Sequence, residues 1–119
     1  MTRDEGLSTP QPAPATNASR PLWELVQEDA AIRFGFERGV DLLLRDMRER
    51  DAFGRAKYGT PLQAWNGRDA LVDAYQEALD LCVYLRQQLA ERAAPDDSDR
   101  DLYLSALDMA FDLRQRVGL

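Results

Sequence analysis

The chain contains no histidine, a single cysteine (Cys82) and a single lysine (Lys57). Without histidine there is no imidazole general base, no Ser-His or Cys-His nucleophile pair, and no zinc site built on imidazole. One cysteine excludes an internal disulfide and a thiolate zinc site, and fits a reducing cytoplasm. Long hydrophobic runs are missing too. None approaches the roughly 18 apolar residues of a membrane span, and the opening Met-Thr-Arg-Asp-Glu-Gly lacks the basic and apolar regions of a signal peptide. Positive charge is in deficit: 15 Lys+Arg against 21 Asp+Glu leave a formal charge of −6 and a pI of about 4.6. That balance argues against a generic nucleic-acid partner.

What is present is one domain's worth of chain, 119 residues with 45% hydrophobic side chains. Carboxylates, arginines, hydroxyls, tyrosines and Lys57 remain for chemistry. Carboxylates without histidine or cysteine suit hard, oxygen-seeking cations such as Mg²⁺. Pro10, Pro12, Pro14 and Pro21 fall among small and polar residues. Residues 1–21 therefore read as a disordered tail, too poor in large apolar groups to offset the entropy of ordering. Residues 22–119 read as a helical domain.

Trp23, Val26, Ala30 and Phe34 recur at helical spacing, as do Phe36, Val40, Leu43 and Met47. These predict helices over about 22–34 and 36–57, with Gly35 and Gly39 marking a kink. Gly59-Thr60-Pro61 stops the second helix. Asn66 is the expected cap of a third over about 67–92, with Asp69 at its third position. Leu71, Tyr75, Ala78, Cys82, Leu85 and Leu89 form its apolar stripe. Cys82 on that stripe reads as a buried, inert thiol. Pro95 breaks the chain, and Ser98 with Asp101 predicts the start of a last helix over about 98–117. Its expected core stripe is Leu102, Ala106, Met109, Leu113 and Val117. No alternating strand pattern appears. The fold class is all-α, a bundle of three to four helices, and its broad apolar arcs point to a homo-oligomer.

Two groups of residues could carry chemistry. Asp73, Glu77 and Asp80, spaced 4 and 3, share one helical face. Three close carboxylates repel one another unless a cation or solvent neutralises them, and Glu37, Asp41, Asp46 and Glu49 are acids that a second helix could add. The same pattern is also an ordinary solvated helix face. The second group is the loop from Arg55 to Arg68. Lys57 and Arg68 suit phosphates, Tyr58 or Trp65 suit a base, and the Asn66-Gly67 helix start suits an anion. It lacks the glycine spacing of a P-loop and equally suits a structural connection between helices.

The run Lys57-Tyr-Gly-Thr-Pro-Leu-Gln63, followed by Asn66-Gly-Arg-Asp-Ala-Leu-Val-Asp-Ala-Tyr-Gln-Glu-Ala-Leu-Asp80 and the apolar Leu-Cys-Val-Tyr-Leu, resembles small phage and actinobacterial proteins described as MazG-like. These fall within the all-α nucleoside triphosphate pyrophosphohydrolases. The resemblance covers about residues 45–92 and implies Mg²⁺-dependent cleavage of an NTP or dNTP to the monophosphate and pyrophosphate. That group carries a Glu-Glu-x-x-Glu and a Glu-x-x-Asp on neighbouring helices. Glu77-Ala-Leu-Asp80 matches the second. No Glu-Glu-x-x-Glu is present, and Glu37-x-x-x-Asp41 and Asp46-x-x-Glu49 are its nearest substitutes. The resemblance thus implies Glu77, Asp80 and Glu49 as metal ligands, with Asp73 or Glu49 positioning the water. It leaves Lys57, Arg68, Asn66, Tyr58 and Trp65 for the nucleotide. The alternatives are a non-catalytic nucleotide-binding protein and a helical protein that assembles through its apolar faces.

Overall fold

The computed structural model describes residues 10–118, of which four helices account for most. Helix α1 is Leu22–Phe34, α2 is Val40–Tyr58, α3 is Ala70–Glu91 and α4 is Asp97–Val117. Among the described residues the only β pairing is an isolated bridge between Pro21 and Gln63. The all-α expectation holds. No helix is long and apolar enough to cross a membrane.

The chain divides into two compact units. Pro12–Arg68 form the first. Here α1 and α2 are joined by a turn at 35–39 instead of the expected kink. Gly35 and Gly39 both take positive φ (56° and 92°), a region costly for residues with a Cβ. The turn removes Phe36 from the second helix's apolar stripe and leaves it fully exposed. Ala30 and Val40 are the buried apolar residues of these helices.

Residues 12–21 were expected to be disordered, yet they are fastened to the loop that follows α2. The Ala15 N–H donates to Asn66 O at 2.8 Å, and the Leu22 N–H to Leu62 O at 2.7 Å. Arg68 Nη1 donates to Pro12 O at 2.7 Å. A segment without large apolar side chains is held by its backbone polar groups, which the sequence pattern does not register. The part of the expected tail at residues 1–9 lies outside the described residues.

Among the described residues, the second unit comprises 10–11 and 69–118. Its core is the α3–α4 hairpin, where Ala78, Cys82, Ala106 and Ala110 are buried together and Leu85 and Leu113 pack against them. Ala78 and Cys82 of the expected α3 stripe are buried, and so is Val72, which the stripe did not include. The α4 stripe is rotated: Ala106, Ala110 and Val117 are buried, while Leu102 and Met109 are exposed. Small side chains on both helices let the backbones approach closely, and a larger leucine in the seam would hold them apart.

Both expected caps are displaced toward neighbouring aspartates. Asp69, not Asn66, caps α3, accepting from the Leu71 and Val72 N–H groups at 3.1 and 3.3 Å. Asn66 instead closes a local turn, accepting from the Arg68 N–H at 3.0 Å. Asp96 and Asp99, not Ser98 and Asp101, form a reciprocal capping box at α4. Asp99 is also paired with Arg92.

Candidate functional site

The acidic face belongs to α3. Asp73 is half-buried in the first turn, whereas Glu77 and Asp80 are exposed. Asp73 is held from outside the helix: Gln11 Nε2 donates to Asp73 Oδ1 at 2.7 Å and to Asp69 O at 3.2 Å. The same amide's oxygen accepts from the Asp69 N–H. Gln11 therefore satisfies one of the orphan donors at the N-terminus of α3 and fixes the direction of the first carboxylate of the face. The Glu77 and Asp80 side chains make no hydrogen bond or ion pair among the described residues.

Among the described residues, no three cysteine or acidic side chains converge as a metal-holding group. A resident ion enclosed by protein does not fit that donor set. Two exposed carboxylates one turn apart match Mg²⁺ only in the number of protein ligands. This small ion keeps most of its waters and takes only one or two carboxylates from protein.

The remaining candidates lie in the first unit. Glu49, on α2, has Oε1 3.9 Å from Arg45 Nε, one turn back. Lys57 Nζ lies 5.2 Å from the centroid of the Tyr58 ring at the exposed end of α2. The loop then brings Asn66 and Arg68 together through their turn, and the Arg68 guanidinium reaches back to Pro12. Trp65 is 90% exposed and has φ of 58°. A bulky residue in the left-handed region is strained and must be held there. The hold is visible: Asn17 Nδ2 donates to Ala64 O at 2.7 Å and to Trp65 O at 3.1 Å.

The residue that organises this loop was not singled out from the sequence. Gln63 is the only buried polar side chain among the described residues, 6% exposed. Its Oε1 accepts from the Asn17 N–H at 3.1 Å, and its Nε2 donates to Asn17 O and Ser19 O, both at 2.7 Å. The one signal available was a lone amide between Leu62 and Ala64 in a loop. Asn17 and Gln11 had been assigned to the tail.

In the charge pairs of both units the arginines are exposed, while Asp51 and Asp99 are half-buried. Arg20 holds the Glu28 carboxyl below the usual carboxylate range, chiefly through its hydrogen bond. Asp99 is also held low, first by the Asp96 backbone N–H and next by Arg92. Asp51 raises Arg55, so that cation of the loop's approach is already engaged.

No known family's sequence profile matches the chain, and neither a curated protein nor a solved structure matches it.

Proposed function

We propose that the chain is a nucleotide-handling enzyme that cleaves a nucleoside triphosphate to the monophosphate and pyrophosphate, the reaction of the MazG-like proteins it resembles. One observation carries the reading. Glu77 and Asp80 stand one turn apart on α3, exposed and without a side-chain partner among the described residues, at the two acidic positions of the matching motif. Mg²⁺ bound with the nucleotide would supply charge neutralisation along the phosphates and lower the pKa of a coordinated water.

The chain's own residues then take distinct tasks. Glu77 and Asp80 hold the ion. Asp73, directed by Gln11, accepts a hydrogen bond from the attacking water and orients it. Lys57 and Arg68 are assigned to phosphate oxygens. Trp65, held outward by Asn17, offers a face on which a base can stack, with Tyr58 and Asn66 in supporting contacts. Glu49 of α2 is the acid that the resemblance adds to the metal set, and its carboxylate here lies 3.9 Å from Arg45 Nε. A single, free cysteine is compatible with a reducing cytoplasm as the compartment of this reading, and the exposed apolar side chains support a homo-oligomer.

The test is pyrophosphate release from a panel of NTPs and dNTPs with and without Mg²⁺, for the native chain and Glu77→Gln. Release that requires Mg²⁺ and falls at least about 100-fold in the variant is expected, the loss typical of removing one electrostatic group from such a site. Release that survives Glu77→Gln sinks the assignment.

A second reading has its own support. The lack of a third converging acid among the described residues favours a protein that binds nucleotide without cleaving it. A melting shift with nucleotide in EDTA, without pyrophosphate release, would select it.

A further inference from the structure

We propose that Asn66 is a site of intramolecular deamidation, at which the backbone nitrogen of Gly67 attacks the side-chain amide and converts it to aspartate and isoaspartate. Asn17 and Asn66 are the asparagines of the chain. The structure treats them differently at both groups on which the reaction depends.

The two begin alike. Asn17 Oδ1 accepts from the Ser19 N–H at 2.8 Å, and Asn66 Oδ1 from the Arg68 N–H at 3.0 Å, so each closes the same side-chain turn. That N–H lies on the oxygen that gains negative charge when the amide carbon is attacked, and stabilises it as an oxyanion hole does.

The leaving group separates them. Asn17 Nδ2 donates to Ala64 O and Trp65 O, so ammonia departs from it only by giving up both bonds. Asn66 Nδ2 has no hydrogen-bond partner among the described residues. The nucleophile separates them again. Asn17 is followed by Ala18, whose Cβ crowds the attacking nitrogen. Gly67 has no Cβ, is exposed, and its N–H makes no hydrogen bond among the described residues. Nothing lies within 4 Å of the place a Cβ would take, so hydroxide has open access to that side of the residue.

The step balances with water alone. Hydroxide removes the Gly67 N–H proton, and the nitrogen bonds to Asn66 Cγ. The Cγ–Nδ2 bond breaks, and Nδ2 takes a proton from water and leaves as ammonia. Water then opens the cyclic imide. Attack at Cγ gives aspartate; attack at the backbone carbonyl carbon gives isoaspartate.

The products differ in what they do to the loop. Aspartate keeps the main chain and adds a negative charge between Trp65 and Arg68. Isoaspartate reroutes the main chain through Cβ and Cγ. The oxygen that accepts from the Ala15 N–H then belongs to a carboxylate branch and no longer to the main chain. The fastening of residues 12–21 to this loop is loosened by that product and kept by the other.

The proposal is independent of the nucleotide reading, because its test contains no nucleotide. The full chain is incubated at pH 6 and pH 8, folded and in urea, and digested with trypsin. Cleavage at Lys57 and Arg68 isolates Asn66 in one peptide, and mass spectrometry with chromatography separates amide, aspartate and isoaspartate. In the folded chain, conversion at Asn66 should run at least about tenfold ahead of Asn17 and rise with pH. It should also stay within about tenfold of its rate in urea. Amide exchange at Ala15 should accelerate in the isoaspartate fraction and not in Asn66→Asp. An Asn66 that persists in the folded chain while the unfolded chain converts overturns the proposal, as does equal conversion of both asparagines. An unchanged Ala15 exchange rate in the isoaspartate fraction overturns the loosening.

Discussion

The side-chain amide of Gln63 pairs with the backbone of Asn17 in both directions, accepting from its N–H at 3.1 Å and donating to its carbonyl at 2.7 Å. This is the exchange that two residues of neighbouring strands make, with a side chain standing in for one strand. Its second N–H goes to Ser19 O, so the buried amide has no unsatisfied donor. Asn17 in turn holds the carbonyls that keep Trp65 in its strained conformation.

Gln63→Leu should therefore destabilise the chain by about 2 kcal/mol, because the apolar replacement leaves the Asn17 and Ser19 backbone groups without their partner. Denaturant titration measures the loss. Hydrogen exchange should accelerate at the Asn17 amide, and an unchanged rate there would show that the amide pair does not hold the segment.

The two helix caps give a position-specific contrast. Asp69→Ala and Asp96→Ala should each cost about 1 kcal/mol. Ser98→Ala should stay within about 0.5 kcal/mol, since its hydroxyl caps nothing. Thermal unfolding of the three variants decides the matter, and a Ser98→Ala loss equal to that of Asp96→Ala would move the helix start.

Asp99 ties stability to acid. Its folded carboxyl lies below the ordinary 3.8 because the Asp96 N–H and then Arg92 favour the charged form. The contribution is complete above the unfolded value and disappears as the pH falls through the lowered folded value. Asp99→Asn should thus narrow the melting-temperature gap between pH 6 and pH 3. An identical gap in both proteins would refute the linkage.

Glycine to alanine should change sign between two sites. At Gly39, φ of 92° strains any Cβ, although nothing lies within 4 Å of it. Gly39→Ala should therefore lose about 1 kcal/mol for conformation alone. Gly54 lies within α2 with open space around it, so Gly54→Ala should gain up to about 1 kcal/mol. Equal effects at both positions would contradict the backbone assignment.

The helices were legible because α3 repeats apolar residues at 4 and 3 over five turns, a pattern that only a helix face satisfies. The orientation of α4 was less so. Its apolar arc is wide enough that Leu102 and Met109 fit a core stripe as well as Ala110 does, and only close approach of α3 selects the alanines. Caps were misplaced by two or three residues because Asn66, Asp69, Asp96 and Ser98 are all good capping types. Backbone geometry chooses among them. The loop's organisation was invisible, since Gln63 and Asn17 are 46 positions apart and Gln11 and Asp69 are 58 apart. No periodicity encodes such a pairing. Of the candidate site, the acidic face of α3 was legible from spacing; the hold of Gln11 on Asp73 was not.

The alanine and cysteine seam between α3 and α4 also bears on how the sequence can drift. At Ala78, Ala106 and Ala110 the acceptable alphabet is short, since any side chain larger than alanine must push the helices apart. At Leu104, Leu107 and Phe111 the hairpin itself imposes almost nothing. A saturation library selected only for folding would keep the first three positions and scramble the second three.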